Sequence, residues 1–332
     1  MELQIGSTVH GYRVEGLIAE GGMSLIYKVR HLENDTLHAL KVLAIHTRSV
    51  RERMHQEGKA QRILQHPNIV PVTDVVQLAH APALVMDYVA GPDLADLLAR
   101  CSLTDTQSDH LARGILRAMI VAHANGMIHR DLKPSNILLE INDSALTPRV
   151  TDFGLAKVWS ADEAKPLTQS GTAMGTPGYM APEQIWDASA VDERADVFSL
   201  GTILYEMLAG ERAFKGGHNV EVWSNINAGK RSPLDTLRPD LPTDVVSIVH
   251  RAMATDRDQR TPNVQSLLTQ WEKASTPFSS AEISAIEVWS GTASREASKW
   301  AKRHVQRPSE GHISPVDSNN AATTFYDHVQ PD

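Results

Sequence analysis

Cysteine is nearly absent. Cys101 stands alone among 332 residues, so the chain can form no intramolecular disulfide and no multi-cysteine metal site. An excess of positive charge is also missing: 32 Lys and Arg face 40 Asp and Glu, a net charge of −8. A general nucleic-acid binder carries a basic domain or stripe, and this balance argues against one. No apolar run approaches the roughly 18–20 residues of a membrane-spanning helix. The greasiest stretch, residues 197–209, is interrupted by Ser199, Thr202 and Glu206 and reads as a buried core helix. The opening MELQIGSTVHGYRV has neither the basic cluster nor the apolar stretch of a signal peptide. The 15 histidines include no His-Glu-x-x-His or comparable metal spacing. These absences predict an intracellular, cytoplasmic protein with no membrane span and no nucleic-acid partner. Cys101, at the end of a predicted helix, is expected to be a packing residue.

What is present is a chain that changes character part-way. Hydrophobic residues make up 42%, enough for a substantial core, and the length fits two domains or one bilobal unit. Residues 12–19 and 25–30 read as strands flanking a Gly-Gly turn, and residues 36–43 (TLHALKVL) as another strand. Residues 51–65 read as a helix ended by His66-Pro67-Asn68, with strands following at 69–76 and 83–88. After Gly91-Pro92, residues 94–99, 107–125, 194–209, 220–228, 243–254 and 262–273 carry helical spacing. Short strands are expected only at 137–140 and 149–151. The expected fold is α+β and bilobal: a small β-rich N-lobe with one key helix, and a larger, mainly α-helical C-lobe. From about Thr276 the composition shifts to Ser, Ala, Thr and Asn, so residues 273–332 are expected to form a tail, partly helical or disordered and dispensable for folding.

Several positions carry chemistry. Ala19 to Ser24 (A-E-G-G-M-S) lies between two strands, which argues against a Rossmann fingerprint or P-loop, since both open a helix. Such a turn can fold over polyphosphate, but taken alone it is first an ordinary hairpin turn. Lys41 shares a strand face with Ala39 and Leu43, and a charge on an inward face needs a partner. Glu57, on one helix side with Met54, Ala60 and Leu64, is the candidate. The densest signal is His129-Arg130-Asp131-Leu132-Lys133-Pro134-Ser135-Asn136, followed by Asp152-Phe153-Gly154. Asp, Asn and phosphate oxygens make a hard-oxygen set suited to magnesium. Asp196 begins the greasy helix and, read locally, is an N-cap.

In this order the motifs resemble those of the protein kinases, in particular the eukaryotic-like serine/threonine kinases of bacteria. The resemblance spans roughly Tyr12 to Trp271 and implies a kinase domain over residues 12–272 after an N-terminal segment 1–11. The N-lobe would cover 12–88, the hinge 87–92 and the C-lobe 93–272. Ala19, Gly21, Gly22 and Ser24 would form the glycine-rich lid, with Ile26 and Ala39 over adenine. Lys41 would hold the α- and β-phosphates and pair with Glu57. Met86 resembles the gatekeeper, with the backbones of Asp87 and Val89 holding adenine. Asp131 would accept the substrate proton, Lys133 steady the γ-phosphate, and Asn136 and Asp152 hold Mg²⁺, with Mn²⁺ able to substitute. Glu183 of Ala181-Pro182-Glu183 would pair with Arg260, and Asp196 would bond the backbone around His129-Arg130. Thr176 with Lys133 resembles the serine/threonine subclass. The implied partners are protein substrates with Ser or Thr, and a transient homodimer for trans-autophosphorylation. Thr168, Ser170 and Thr172 are the expected phosphosites, with Arg130 as the phosphate's arginine.

The sequence departs from the pattern at Ala19 and Ser24, which replace lid glycines, and by a small insertion around residues 142–148, expected in a surface hairpin. The competing classes are a pseudokinase scaffold and a small-molecule phosphotransferase. Lys41, Glu57, Asp131, Asn136 and Asp152 are all present, which argues against the first. The full activation segment, which docks peptide, argues against the second.

Overall fold

Period-two burial builds the first lobe. The computed structural model describes residues 2–21, 24–43, 48–78, 81–142, 145–153, 177–186 and 191–276. Strands β1 (Thr8–Val9), β2 (Tyr12–Gly21), β3 (Ser24–His31), β4 (Leu37–Leu43), β5 (Val72–Gln77) and β6 (Pro82–Asp87) form one antiparallel sheet. Its order is β1-β2-β3-β4-β6-β5, so β1 adds an edge from the first eleven residues. Successive strand side chains face opposite ways. Leu40 and Val42 therefore join Val14, Tyr27, Val29 and Val85 on one face, while Ala39 and Leu43 join Leu84 and Met86 on the other.

Helix α1 (Arg48–Gln61) packs on β5 and β6. It starts and ends earlier than residues 51–65, because Ile63 N bonds Ala60 O and Leu64 N bonds Gln61 O, tightening the last turn. The strand expected at 69–76 begins only at Val72. Ile69 instead makes an isolated parallel bridge to Val150, and Val70 N donates to Val150 O at 2.9 Å, tying this crossing to the second lobe.

The second lobe contains α2 (Leu94–Leu98), α3 (Asp105–Ala124), the hairpin β7 (Ile137–Asn142) and β8 (Ala145–Val150), then α4 (Pro182–Trp186), α5 (Arg194–Ala209), α6 (Asn219–Asn227), α7 (Leu234–Leu237), α8 (Thr243–Ala252) and α9 (Val264–Ala274). A capping box starts α3: Gln107 N donates to Thr104 Oγ1, and Thr104 N donates to Gln107 Oε1. Helix α5 is the apolar run read from sequence, buried on nearly every side and closed by Gly210 at φ +70°. Phe198, Tyr205, Phe214 and Trp271 fill the core around it. Trp271 Nε1 and Arg113 Nε both donate to Asp109 at 2.8 Å, and Arg113 also donates to Ser275, which fastens α9 to α3.

One expectation holds and one is corrected. The insertion at 142–148 lies in a hairpin, where it lengthens both strands, which pair from Ile137↔Val150 to Asn142↔Ala145. Leu146 is buried, and His110 and Asn68 bond the Leu146 and Pro148 carbonyls. Cys101 is exposed rather than packed, because the chain has already left α2. The tail beyond Thr276 lies outside the described residues. Among the described residues, no helix is long and apolar enough to cross a membrane.

Gly91 sets how closely the linker passes β7. Leu139 N donates to Pro92 O at 2.9 Å, and a Cβ on Gly91 would stand 1.9 Å from Leu139 O. Gly91→Ala must push the linker off the hairpin. The expected loss is roughly 3 kcal/mol, read as a lower urea midpoint at unchanged slope.

Candidate active site

Lys41 stands on β4 opposite Ile26 on one side and Leu84 on the other. It is 7% exposed, and its Nζ donates to Asp152 Oδ2 at 2.7 Å. Burial alone would raise the Asp152 carboxyl. The Lys41 ammonium, with His129 and Lys133, overrides burial and holds it below the usual carboxylate range. Glu57 lies on α1, but its side chain is outside the described residues, as are Gly22 and Gly154.

The lid strands pair Ala19 with Ile26 and Gly21 with Ser24. Ile26, Ala39, Met86 and Val89 fall in one apolar cluster with Ile18 and Leu138. Leu138 comes from the C-lobe hairpin, so the cluster spans both lobes. No motif marks Ile18 or Leu138; each reads in sequence as an ordinary strand apolar residue. Asp87 ends β6 opposite His38, and Thr151 Oγ1 lies 3.9 Å from Met86 S.

Below this cluster, the loop after α3 gathers the polar groups. Lys133 Nζ donates to Asp131 Oδ2 at 2.8 Å. Asn136 Nδ2 donates to Asp131 O at 2.7 Å and to Asp131 Oδ2 at 3.3 Å. With its nitrogen so engaged, the Asn136 amide oxygen has no side-chain donor among the described residues and is a hard oxygen ligand in the same site as the Asp152 carboxylate. This donor set fits a small divalent cation.

Two non-glycine residues here hold left-handed backbone: Arg130 and Asp152, both at φ +67°. Such conformations cost about 1–3 kcal/mol each and need outside support. For Arg130 the support is Asp196, which is fully buried. Its Oδ2 accepts from His129 N and faces His123 Nε2, both at 2.8 Å, and its Oδ1 accepts from Arg130 N at 2.9 Å. Burial pushes the Asp196 carboxyl up, but the bond to His123 and the charges of His123 and His129 hold it below the usual range. The N-cap reading of Asp196 is corrected: Glu193 occupies the cap of α5, and Asp196 sits inside its first turn.

Two buried glutamines that sequence reading missed also bond these loops. Gln184 Nε2 donates to Arg130 O at 2.7 Å while its Oε1 accepts from Ala181 N at 2.9 Å. Gln61 Nε2 donates to Phe153 O. Neither belongs to a motif run, and an amide gives no apolar periodicity to notice. The Glu183–Arg260 pair is bidentate at 2.7 and 3.1 Å, with Arg260 also bonding Arg194 O and stacking over Phe198. Thr168, Ser170, Thr172 and Thr176 lie outside the described residues.

Two lobes joined by a hinge, with a lysine–carboxylate pair bridging them above an Asp-Lys-Asn loop, define a phosphotransferase of the protein kinase fold. Residues 12–271 match the protein kinase domain family. The chain is 30% identical to the serine/threonine-protein kinase pkn3 of Myxococcus xanthus, an alignment covering 98% of this chain and 67% of that protein. It is 33% identical to the probable serine/threonine-protein kinase PknB of Lactococcus lactis, over 80% of this chain but only 42% of that protein. The kinase domain of Mycobacterium tuberculosis PknI has a similar fold, with a TM-score of 0.65 and 24% identity over 83% of this chain and 100% of that chain. Rad53 in complex with AMP-PNP gives a TM-score of 0.65 at 25% identity, over 79% of this chain and 65% of that chain. The chain belongs to the protein kinase family, in its bacterial serine/threonine branch, and its domain is that of an ATP-dependent serine/threonine protein kinase.

Asp196→Asn should cost about 3 kcal/mol at neutral pH, because an NH2 group replaces one of the two acceptor oxygens and turns hydrogens on either the Arg130 or the His129 N–H donor. A depressed folded-state pKa gives stability present above the unfolded value of about 3.9 and lost as pH falls through the folded value. The wild-type advantage over Asp196→Asn, measured by urea unfolding, should therefore shrink as pH falls below about 4.

Proposed function

We propose that this domain is catalytically active and transfers the γ-phosphoryl group of ATP to Ser or Thr hydroxyls of protein substrates, with Mg²⁺ as its metal. The observation that carries this reading is the Lys41–Asp152 pair that bridges the two lobes, together with the Asp131–Lys133–Asn136 set bonded within one loop of the second lobe. The apolar cluster around Ala39, Met86, Val89 and Leu138 supports an adenine site, with the Asp87 and Val89 backbones as its polar edge. AMP-PNP in the complex of a protein of similar fold supports nucleotide binding.

In this reading Lys41 gives up part of its bond to Asp152 to hold the α- and β-phosphates, and Glu57 orients it. Asn136 and Asp152 are the metal ligands. The metal, when bound, neutralises phosphate oxygens and lowers the cost of charge shifting between them. Asp131 orients the substrate hydroxyl and accepts its proton. Lys133 already donates to Asp131, so it is placed to shift toward the γ-phosphoryl oxygens as the acceptor carboxylate loses charge. Catalysis is then mainly positioning and electrostatic stabilisation. The domain works where ATP is supplied, in the cytoplasm.

Asp131→Asn keeps the volume but removes the proton acceptor. Phosphate incorporation into a protein substrate should disappear while calorimetry shows ADP binding unchanged; wild-type turnover in the variant would overturn the role of Asp131.

Activation follows from charge. A phosphate on Thr168, Ser170 or Thr172 would add about −1.5 to −2 charges for Arg130, the residue before Asp131, to bind bidentately. Such phosphorylation would occur in trans, within a transient homodimer. Replacing all three residues with alanine should lower both self-phosphorylation and activity on an added substrate. Unchanged phosphate incorporation, counted by mass spectrometry, would reject them as the sites.

A further inference from the structure

A cavity of about 370 Å³ lies where α3 ends and α5 begins, lined by His123, Gly126, Ile128, Asp192, Glu193 and Arg194. The His123 side chain is 7% exposed, and its two ring nitrogens are treated differently. Nε2 lies 2.8 Å from Asp196 Oδ2. An ionised carboxylate only accepts, so Nε2 carries a hydrogen. Nδ1 is buried and has no hydrogen-bond partner. Glu193 Oε2 stands 3.5 Å from it. Neither state of Nδ1 suits that gap. Hydrogen bonds from nitrogen to oxygen span about 2.7–3.2 Å, so a hydrogen on Nδ1 would fall short. Without one, Nδ1 is a lone pair facing a carboxylate, acceptor against acceptor. A cation between the two removes the conflict.

Geometry selects the kind of cation. Zn²⁺ binds imidazole nitrogen and carboxylate oxygen at about 2.0–2.2 Å. Seated so between atoms 3.5 Å apart, it subtends about 115°, close to tetrahedral. An ammonium held at about 2.8 Å would subtend only about 77°, too narrow for its hydrogens. Asp196 behind His123 also stands where a carboxylate orients a zinc-bound histidine. Charge allows a cation as well. Asp192, Glu193 and Asp196 outnumber Arg194, whose guanidinium is committed to Asp192 and Asp258, both at 2.8 Å. They outweigh the partial positive charge, about half a unit, at the start of α5. Arg194 takes up both Asp192 oxygens, so the protein offers two ligands. No group of three or more His, Cys, Asp and Glu is gathered for a metal among the described residues. Water completes the set, which makes the site exchangeable rather than structural.

We propose that His123 Nδ1 and Glu193 bind a zinc ion reversibly, in a site distinct from the magnesium ligands Asn136 and Asp152. The bound ion draws charge from the ring and strengthens the Nε2–H donor to Asp196. That carboxylate holds the His129 and Arg130 amides, so occupancy firms the seat of the catalytic loop. The site goes beyond the phosphoryl-transfer reading and does not depend on it.

Two variants of the full chain test the site. Glu193→Gln keeps the size and removes the charged ligand, and the Glu193 side chain makes no capping bond for the change to break. His123→Gln retains a donor toward Asp196 and replaces the imidazole lone pair with an amide oxygen, a poor zinc ligand. Each protein is stripped with chelator, saturated with Mg²⁺ and ADP to fill the other site, and titrated with Zn²⁺ by calorimetry. The wild type should bind a Zn²⁺ that both variants bind about tenfold more weakly or worse, since even outer partners of a metal ligand are worth that much. Ring-nitrogen NMR should show His123 Nδ1 without hydrogen in the metal-free protein, and Zn²⁺ should shift it while Nε2 keeps its hydrogen. Zinc should also raise the melting temperature of the wild type and leave that of Glu193→Gln unchanged. Equal affinity in wild type and Glu193→Gln would mean an adventitious ion only, on other histidines or Cys101, and would overturn the proposal. So would a hydrogen on Nδ1 at neutral pH, which makes the contact an imidazolium–carboxylate pair. Should His123→Gln fail to fold, Glu193→Gln decides alone, because its side chain is 44% exposed. A wild type that binds this ion yet phosphorylates nothing removes the kinase reading and leaves the zinc site standing.

Discussion

One buried carboxylate organises the catalytic half of this molecule. Asp196 is fully enclosed, yet it is charged in the sense that matters, because three donors converge on its two oxygens. Two of them are main-chain N–H groups of the loop that presents Asp131. A loop held by its backbone to the first turn of the most buried helix moves only if that helix moves. The left-handed Arg130 is the geometric cost of this arrangement, and Asp131, next along, inherits its direction from it.

The other half of the site is supplied from above and is held more lightly. Lys41 belongs to the sheet and meets Asp152 through a single ion pair. Gln61 adds a second, uncharged bond from the N-lobe to the same loop. On the far side, Gln184 and the Glu183–Arg260 pair fix the chain where it returns from residues 154–176. The catalytic loops are therefore gripped at both ends by separate elements: a helix of the small lobe, and a short helix fastened to the large one. A change in either grip reaches Asp131 or Asp152 through backbone bonds, with no side-chain rearrangement needed between.

How much of this could be read from the chain depends on the kind of signal. Lys41 was legible because a charge on a period-two apolar face is a contradiction that demands a partner. Among the described residues the geometry supplies Asp152 as a partner, and the Glu57 side chain lies outside them. Asp131, Lys133, Asn136 and Asp152 were legible as a dense polar run before and after short strands. The helix α5 was legible from its unbroken apolar face, but the job of Asp196 was misread locally as capping, since nothing in a helix start reveals a loop 66 or 67 residues upstream. Gln61, Gln184 and Leu138 were invisible for a common reason: each acts on a main-chain atom or an apolar surface from another element, and such meetings leave no spacing in sequence. The β7–β8 extension was legible as a hairpin insertion, but not the length of its strands, because pairing, not propensity, decides where they end.

Gly91 has a consequence for variation. The linker between the lobes runs over apolar and backbone surface at positions that differ sharply in the freedom they leave. Met86 ends in an unbranched, pliable side chain within an apolar cluster. At residue 91 a single methyl already meets a carbonyl oxygen. Substitution is therefore open at Met86 and closed at Gly91, so the 91–92 backbone is the part of the linker least able to drift.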